Sequence, residues 1–228
     1  MTTKINQIKQ RRADQKKRQW IITFTILVVG LLFITGLIFY PKFAPVSDVK
    51  TPVTVMRPNP LNNSMGDPAA KVKVEELADF QCPACTTFSQ LIEPKIIDTY
   101  VTTGKVYFTF RPFAFLGTES TDAAKASYCA MGQGKFWEYH DTLYANQTGE
   151  NIGDFAPRKL QAFASANGMD LDKFNVCMKN PETDQKVKDD VIYGREKGIS
   201  GTPSFFVNGN LVMLEGLVQE IEKAISLN

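Results

Sequence analysis

Histidine is almost missing from this chain. Among 228 residues His140 is the only one. Cysteine is scarce as well: Cys82, Cys85, Cys129 and Cys177 are the four, and none precedes residue 82. That early gap excludes lipid attachment through a cysteine near the N-terminal apolar run. A zinc site on Cys82 and Cys85 would need two more ligands, and Cys129 and Cys177 do not form the second close pair. His140 shares a helical stretch with Phe136, Trp137, Leu143 and Tyr144, so it reads as a packed or surface residue rather than a catalyst. There is no internal repeat, and no block of like charge beyond the first 20 residues.

Charge is absent from residues 21–40 and concentrated before them. The first 20 residues hold seven Lys and Arg against one acid, Asp14, while the formal net charge of the whole chain is only +2. The remaining 19 bases face 23 acids after residue 40, a net −4. A mildly acidic folded part makes the pI of about 8.3 no argument for nucleic acid as a partner.

Residues 20–40 read WIITFTILVVGLLFITGLIFY, 21 uncharged residues. At 1.5 Å per residue they span the roughly 30 Å hydrocarbon core of a bilayer. Trp20 and Tyr40 bracket the run as interfacial aromatics do. A cleaved signal peptide has a shorter apolar core and small residues at its cleavage site, and the exit Tyr40-Pro41-Lys42-Phe43 fits that poorly. The expectation is a retained anchor over 20–40 with a cytoplasmic basic segment over 1–19. Everything after residue 40 then lies outside the cytoplasmic membrane. There disulfides form and persist, and four cysteines make an even set.

Residues 41–69 contain six of the twelve prolines and little apolar periodicity, which reads as an extended linker. Val53-Thr54-Val55 within it suits a short edge strand. Residues 71–80 alternate with period two: Val72, Val74, Glu76, Ala78 and Phe80 on one face, Lys71, Lys73, Glu75, Leu77 and Asp79 on the other. This is a strand with Glu76 on its apolar side. A helix is expected from about Pro83 to Thr102, kinked or divided at Pro94, then a strand over Val106–Arg111. Helices follow at roughly 119–131, 134–146, 157–167, 170–178 and 183–197. Asn208-Gly209 separates strands Ser204–Val207 and Leu211–Leu214, a hairpin signal, before a helix over 217–226. The order β–α–β, helices, β-hairpin–α describes an α/β layer protein with a mixed sheet. Its domain occupies 70–228 and carries a helical insertion at about 118–197.

Cys82 stands where the first strand ends and a helix begins. Unpaired N–H groups there favour an anion, so a thiolate is stabilised, and the thiolate is the form that attacks disulfides. Cys85 lies one turn on, within reach of a short disulfide. The pair could hold a metal, lock a turn or exchange disulfides; in an exported chain the spacing and placement favour exchange. Cys129 and Cys177 lie 48 positions apart on separate helices of the insertion. A bridge between them would contribute roughly 4 kcal/mol in the chain-entropy model. They could form such a structural disulfide or an auxiliary redox pair.

Together DFQCPAC, the helical insertion and GTPSFFVNG at residues 201–209 make the chain resemble the thioredoxin fold, and more closely its exported DsbA-like branch. The likeness covers about residues 70–227 and includes CAMGQGKFWEYHDTLYANQ in the insertion. The resemblance implies a thiol–disulfide oxidoreductase with Cys82 and Cys85 as its redox pair and no cofactor. It implies a cis proline at Pro203 against that pair, with the Thr202 backbone pairing with an extended substrate. It also implies a buried acid six residues before the first cysteine, here Glu76, relaying protons to and from Cys85. Implied partners are reduced exported proteins and a membrane quinone-linked re-oxidant of the DsbB or vitamin K epoxide reductase type. One departure stands out. The intervening dipeptide is Pro83-Ala84, without the histidine of the strongest oxidants, so a milder oxidant is expected. Two other readings stay open: a reductase or isomerase fed by a membrane carrier, although no dimerising module is visible, and a non-enzymatic metal-binding or delivery module.

Overall fold

The computed structural model describes residues 2–43, 46, 48–52 and 55–227. The chain forms two compact units, Met1–Pro45 and Val46–Asn228.

The first unit is one helix, α1 (Thr2–Phe43). Its apolar stretch Lys16–Leu37 has a mean hydropathy of 2.4 and no buried residues. Leu27, Leu32 and Phe33 are all more than 60% exposed. The hydroxyls of Thr23, Thr25 and Thr35 donate back to the carbonyls of Gln19, Ile21 and Leu32. That pairing removes the polar cost of threonine in an apolar helix. By length and composition this helix can cross a membrane.

The second unit is built on a five-stranded sheet of order β1-β3-β2-β4-β5. The strands are β1 (Ser64–Met65), β2 (Val72–Ala78), β3 (Val106–Pro112), β4 (Ser204–Val207) and β5 (Asn210–Met213). β2 and β3 are parallel, joined through α2 (Pro83–Leu91) and α3 (Glu93–Ile96), while β4 runs antiparallel to β2 and turns into β5. Asn208 and Gly209 both have positive φ, as the tight hairpin requires. The expected helix over 83–102 is divided. Pro94 has no N–H and its ring clashes with the carbonyl four residues back, so α2 stops at Leu91, α3 restarts at Glu93, and a π-helical turn covers Ile97–Val101. The insertion is α4 (Thr118–Met131), α5 (Phe136–Asn146), α6 (Pro157–Ala166), α7 (Leu171–Met178) and α8 (Pro181–Glu196); α9 (Leu217–Ser226) closes the chain.

β2 alternates only at its start. Val72 and Val74 are buried and Lys73 is exposed, but Leu77 and Asp79, grouped by alternation with the polar face, are buried too. Leu77 joins Phe113, Ile199 and Phe206 in a second apolar cluster on the far side of the sheet. The far end of β2 is therefore covered on both faces, as parallel sheets are. It is this end that delivers the cysteine loop.

The expected linker over 41–69 differs most. Its later part is folded: β1 adds to the edge of β3, Met65 is fully buried, and Arg57 is 8% exposed. Gly66 at φ +98 lies so close to β3 that a Cβ would meet the Val106 carbonyl at 2.6 Å. Proline suppresses periodicity here without preventing burial. Of the short strand expected at 53–55, Val53 and Thr54 lie outside the described residues, and Val55 is in no strand.

Candidate active site

Cys82 is the N-cap of α2, with extended backbone (φ −75°, ψ 120°) and Pro83 in the first turn. Its carbonyl accepts the first helical bond, from Thr86 N at 3.0 Å. Cys82 is half-buried and Cys85 fully buried, and both are free thiols. The Cys82 Sγ lies 3.3 Å from the Thr202 carbonyl oxygen, so the residue before Pro203 touches the first sulfur. The Thr202–Pro203 peptide is cis. Ser204 Oγ donates to Gly201 O at 2.7 Å and ties the turn to the start of β4, where Ser204 pairs in register with Leu77.

The two sulfurs differ sharply in acidity. Cys82 is lowered to about 6, chiefly by a hydrogen bond from the Cys85 thiol. Burial opposes this, while the Thr202 hydroxyl and the backbone N–H groups of Cys85 and Ala84 add to it. Ala84 lacks a side-chain donor but supplies its peptide N–H. The Thr202 hydroxyl is buried and has no hydrogen-bond partner. Cys85 moves the other way. Burial first, then its bond to Cys82 and the charges of Cys82 and Glu76, hold its thiol well above the ordinary value.

Glu76 sits in β2 between Phe110 of β3 and Phe205 of β4. It is 1% exposed, and neither carboxyl oxygen has a hydrogen-bond partner. Burial pushes its pKa well up, the nearby Glu93 adds to that, and the Arg57 charge opposes it.

Three residues that the sequence reading passed over hold the cysteine loop in place. Asp79 accepts from Gln81 N, Phe115 N, Leu116 N and Ser120 Oγ at 2.6–3.0 Å, and its carbonyl accepts from Cys82 N. Gln81 donates to Ser120 Oγ at 2.8 Å and accepts from Asn151 N at 2.6 Å. Gln147 donates to the Gln81 carbonyl at 2.8 Å and accepts from Thr86 Oγ1 at 3.2 Å. Through these bonds the insertion grips the loop on both sides of Cys82. An acid three residues before a cysteine at a strand end was the available signal for Asp79.

Cys129 and Cys177 are joined by a disulfide from α4 to α7. His140 is fully buried against the rings of Phe110 and Tyr144, with Nδ1 2.9 Å from Asp141. Among the described residues no group of three or more His, Cys, Asp or Glu is arranged to hold a metal ion.

Comparison with known proteins agrees with this geometry. The family model described as Thioredoxin matches residues 59–226. The probable disulfide bond formation protein D of Bacillus anthracis is 28% identical over 212 residues, 88% of this chain and 94% of that protein. The crystal structure of oxidised BdbD from Bacillus subtilis superposes with a TM-score of 0.67 at 24% identity, covering 76% of this chain and all of that one. The structure of α-DsbA1 from Wolbachia pipientis gives 0.63 at 25% identity, over 75% and 94%. The chain therefore belongs to the thioredoxin family, as a DsbA-like thiol–disulfide oxidoreductase.

Proposed function

We propose that this protein is a membrane-anchored enzyme that introduces disulfides into exported proteins through Cys82 and Cys85. The observation that carries the reading is the asymmetry of the pair. A half-buried sulfur lowered to about 6 sits beside a fully buried one held high. Cys82 is the sulfur a substrate thiolate can reach, and at neutral pH it leaves as a stable thiolate.

In the oxidised enzyme a substrate thiolate attacks Cys82 Sγ. The Cys82–Cys85 bond breaks, a Cys82–substrate disulfide forms, and the electron pair departs on Cys85. Its burial makes a lasting thiolate costly, so it takes a proton from Glu76. The substrate's second thiolate then attacks its own sulfur in the mixed disulfide and releases Cys82 as thiolate. The substrate has lost two electrons and the enzyme holds them as a dithiol. Thr202 and Pro203 form the wall beside Cys82 against which an extended substrate backbone pairs, and the Thr202 hydroxyl donates to the departing sulfur. The Cys129–Cys177 bond is structural and braces the insertion that grips the loop through Ser120 and Gln147.

Domain roles follow the same reading. Residues 1–19 lie in the cytoplasm, 20–40 span the membrane, and the catalytic unit lies outside. The basic N-terminal residues support this orientation. The reduced pair is re-oxidised by a membrane quinone-linked partner of the DsbB or vitamin K epoxide reductase type, beside which the anchor keeps the enzyme. The Bacillus relatives' names, as disulfide bond formation proteins, support oxidation as the net direction.

The full chain carrying Cys85→Ala tests this in cells. Exported proteins should accumulate as Cys82-linked adducts, seen on non-reducing gels of the membrane fraction and lost on reduction. Adducts confined to cytosolic proteins would overturn the topology, and no adducts at all would overturn the exchange role.

A further inference from the structure

Among the described residues six buried side-chain polar atoms have no hydrogen-bond partner: Arg57 Nε, both Glu76 oxygens, His140 Nε2, Tyr144 Oη and Thr202 Oγ1. A buried polar atom left unpaired loses its hydration with nothing in return, so each such atom asks for an explanation. All six belong to residues linked to one another or to the cysteine pair. Thr202 touches Cys82. Glu76 and Tyr144 both interact electrostatically with Cys85. His140 packs edge-on against Tyr144, with ring centroids 4.9 Å apart.

Arg57 enters this cluster from outside the sheet. Lys50 and Arg57, both ahead of β1, reach α5 and act on it as a strap. Lys50 N donates to Asn146 Oδ1 at 3.0 Å, and Asn146 Nδ2 donates back to Lys50 O at 2.8 Å. Further along the strap the Arg57 guanidinium lies 4.6 Å from the centre of the Trp137 ring and donates to both Asp141 oxygens, at 2.7 and 2.8 Å. Its Nη2 also lies 3.4 Å from Glu93 Oε1, and the other Glu93 oxygen accepts from Ser89 Oγ at 3.2 Å. The Arg57 and Glu93 side chains are 3% and 1% exposed, whereas Asp141 is 10% exposed and lines a surface cavity of about 210 Å³ with Gln90 and Tyr144. Charges run inward from that cavity as Asp141, Arg57, Glu93 and then Glu76.

We infer that Arg57 is a positioning residue for the Cys85 half of the exchange: held by Asp141, it fixes the Glu93 carboxylate beside Glu76, and the row Glu93–Arg57–Asp141, with water entering from the Asp141 cavity, is the path by which Glu76 exchanges its proton with solvent. The inference rests on the relay role proposed for Glu76. Arginine keeps its own proton, so carboxylates and water carry the transfer while Arg57 holds them in line. Arg57 also sets when Glu76 ionises. The groups facing Glu76 are Cys85 from α2, Glu93 from α3, Tyr144 from α5 and Arg57 from the strap. Of these Arg57 is the cation, and it favours the Glu76 carboxylate; Glu93 disfavours it.

The two halves of the reaction can be timed apart in the reduced full-length protein with an aromatic disulfide, dithiobis(nitrobenzoate). Cys82 thiolate attacks it, releasing one nitrothiolate and leaving a mixed disulfide. Cys85 then gives its proton to Glu76 carboxylate, and its thiolate attacks Cys82 Sγ to form Cys82–Cys85 and release the second nitrothiolate. Arg57→Met should move the pH midpoint of the second release up by roughly one unit or more and slow it about tenfold below that midpoint, leaving the first release within about twofold. Arg57→Lys should recover part of the shift. Glu93→Gln keeps the Arg57–Asp141 pair, so it carries the test even if Arg57→Met does not fold; it should move the same midpoint down. A second-release midpoint unmoved in Glu93→Gln, or moved in the same direction by Glu93→Gln and Arg57→Met, overturns the inference. Glu76→Gln separates the two layers. If it alters the second release while the Arg57 and Glu93 variants do not, only this inference fails; if it leaves the second release unchanged, the relay role of Glu76 fails first.

Discussion

The acidity of Cys82 fixes how the reduction potential of the pair depends on pH. Forming the dithiol from the disulfide takes two electrons and two protons while both sulfurs stay protonated. A two-electron couple then falls by about 59 mV per pH unit, roughly 30 mV for each proton. Once pH exceeds the Cys82 pKa, only Cys85 takes a proton and the slope halves to about 30 mV per unit. The lowered value of about 6 therefore predicts a break in the slope near pH 6. The same shift favours the reduced fold. A thiol whose folded pKa is depressed adds stability that is full above its unfolded pKa and is lost as pH falls through the folded one. The window here runs from about 8.5 down to about 6. That window of about 2.5 pH units would amount to ~3.4 kcal/mol, and screening at a half-exposed sulfur reduces that to ~2 kcal/mol. Glutathione equilibration between pH 4 and 9, with alkylation and mass readout, measures the slope. Denaturant unfolding of both redox forms measures the stability gap, with the reduced form ahead at pH 8 and the lead shrinking by pH 5. One unbroken slope up to pH 8, or a lead that grows on acidification, would refute the reasoning.

Other perturbations probe separate parts of the structure. Glu76→Gln should slow release of the Cys82-linked species in the Cys85-dependent step while leaving the initial attack nearly unchanged. It should also raise denaturant stability by about 1 kcal/mol or more near neutral pH, since an amide avoids burying a charge; equal rates in both steps would leave Glu76 with a purely structural role. The double variant Cys129→Ala/Cys177→Ala should lose up to about 4 kcal/mol of unfolding free energy with Cys82 still titrating near 6. Loss of peptide oxidation in that variant at full folding would instead make the second pair part of the redox chemistry.

Much of this was legible because the signals are local. Period-two alternation located β2, Asn208-Gly209 located the hairpin, and glycine and proline bounded the helices to within a few residues. The cysteine pair and the Thr-Pro turn were each readable as short strings, although their approach across 120 positions is a property of the sheet. What escaped depends on distant partners. Nothing in the letters around Arg57 signals burial, because its counter-charges come from α3 and α5. Asp79 and Leu77 sit on the face that alternation marks as polar, and only the cover provided by the 113–117 loop and by the cluster around Phe206 and Ile199 turns that face inward. The π-helical turn after Pro94 likewise has no sequence signature beyond the proline that precedes it.

Net direction is the claim on which the account turns. The proposed placement outside the membrane, beside a re-oxidant, would favour oxidation, while Ala84 withholds a side-chain stabiliser from the thiolate. A coupled re-oxidant sets the steady state kinetically and outweighs a shift in equilibrium poise. Acid quenching of growing cells, followed by mass-tagged alkylation of the full-length protein, reads the Cys82–Cys85 pair directly. The account predicts a mostly oxidised pair. A pair found mostly reduced, in an enzyme that reduces disulfides in peptides but does not form them, would contradict it and make this protein a reductase.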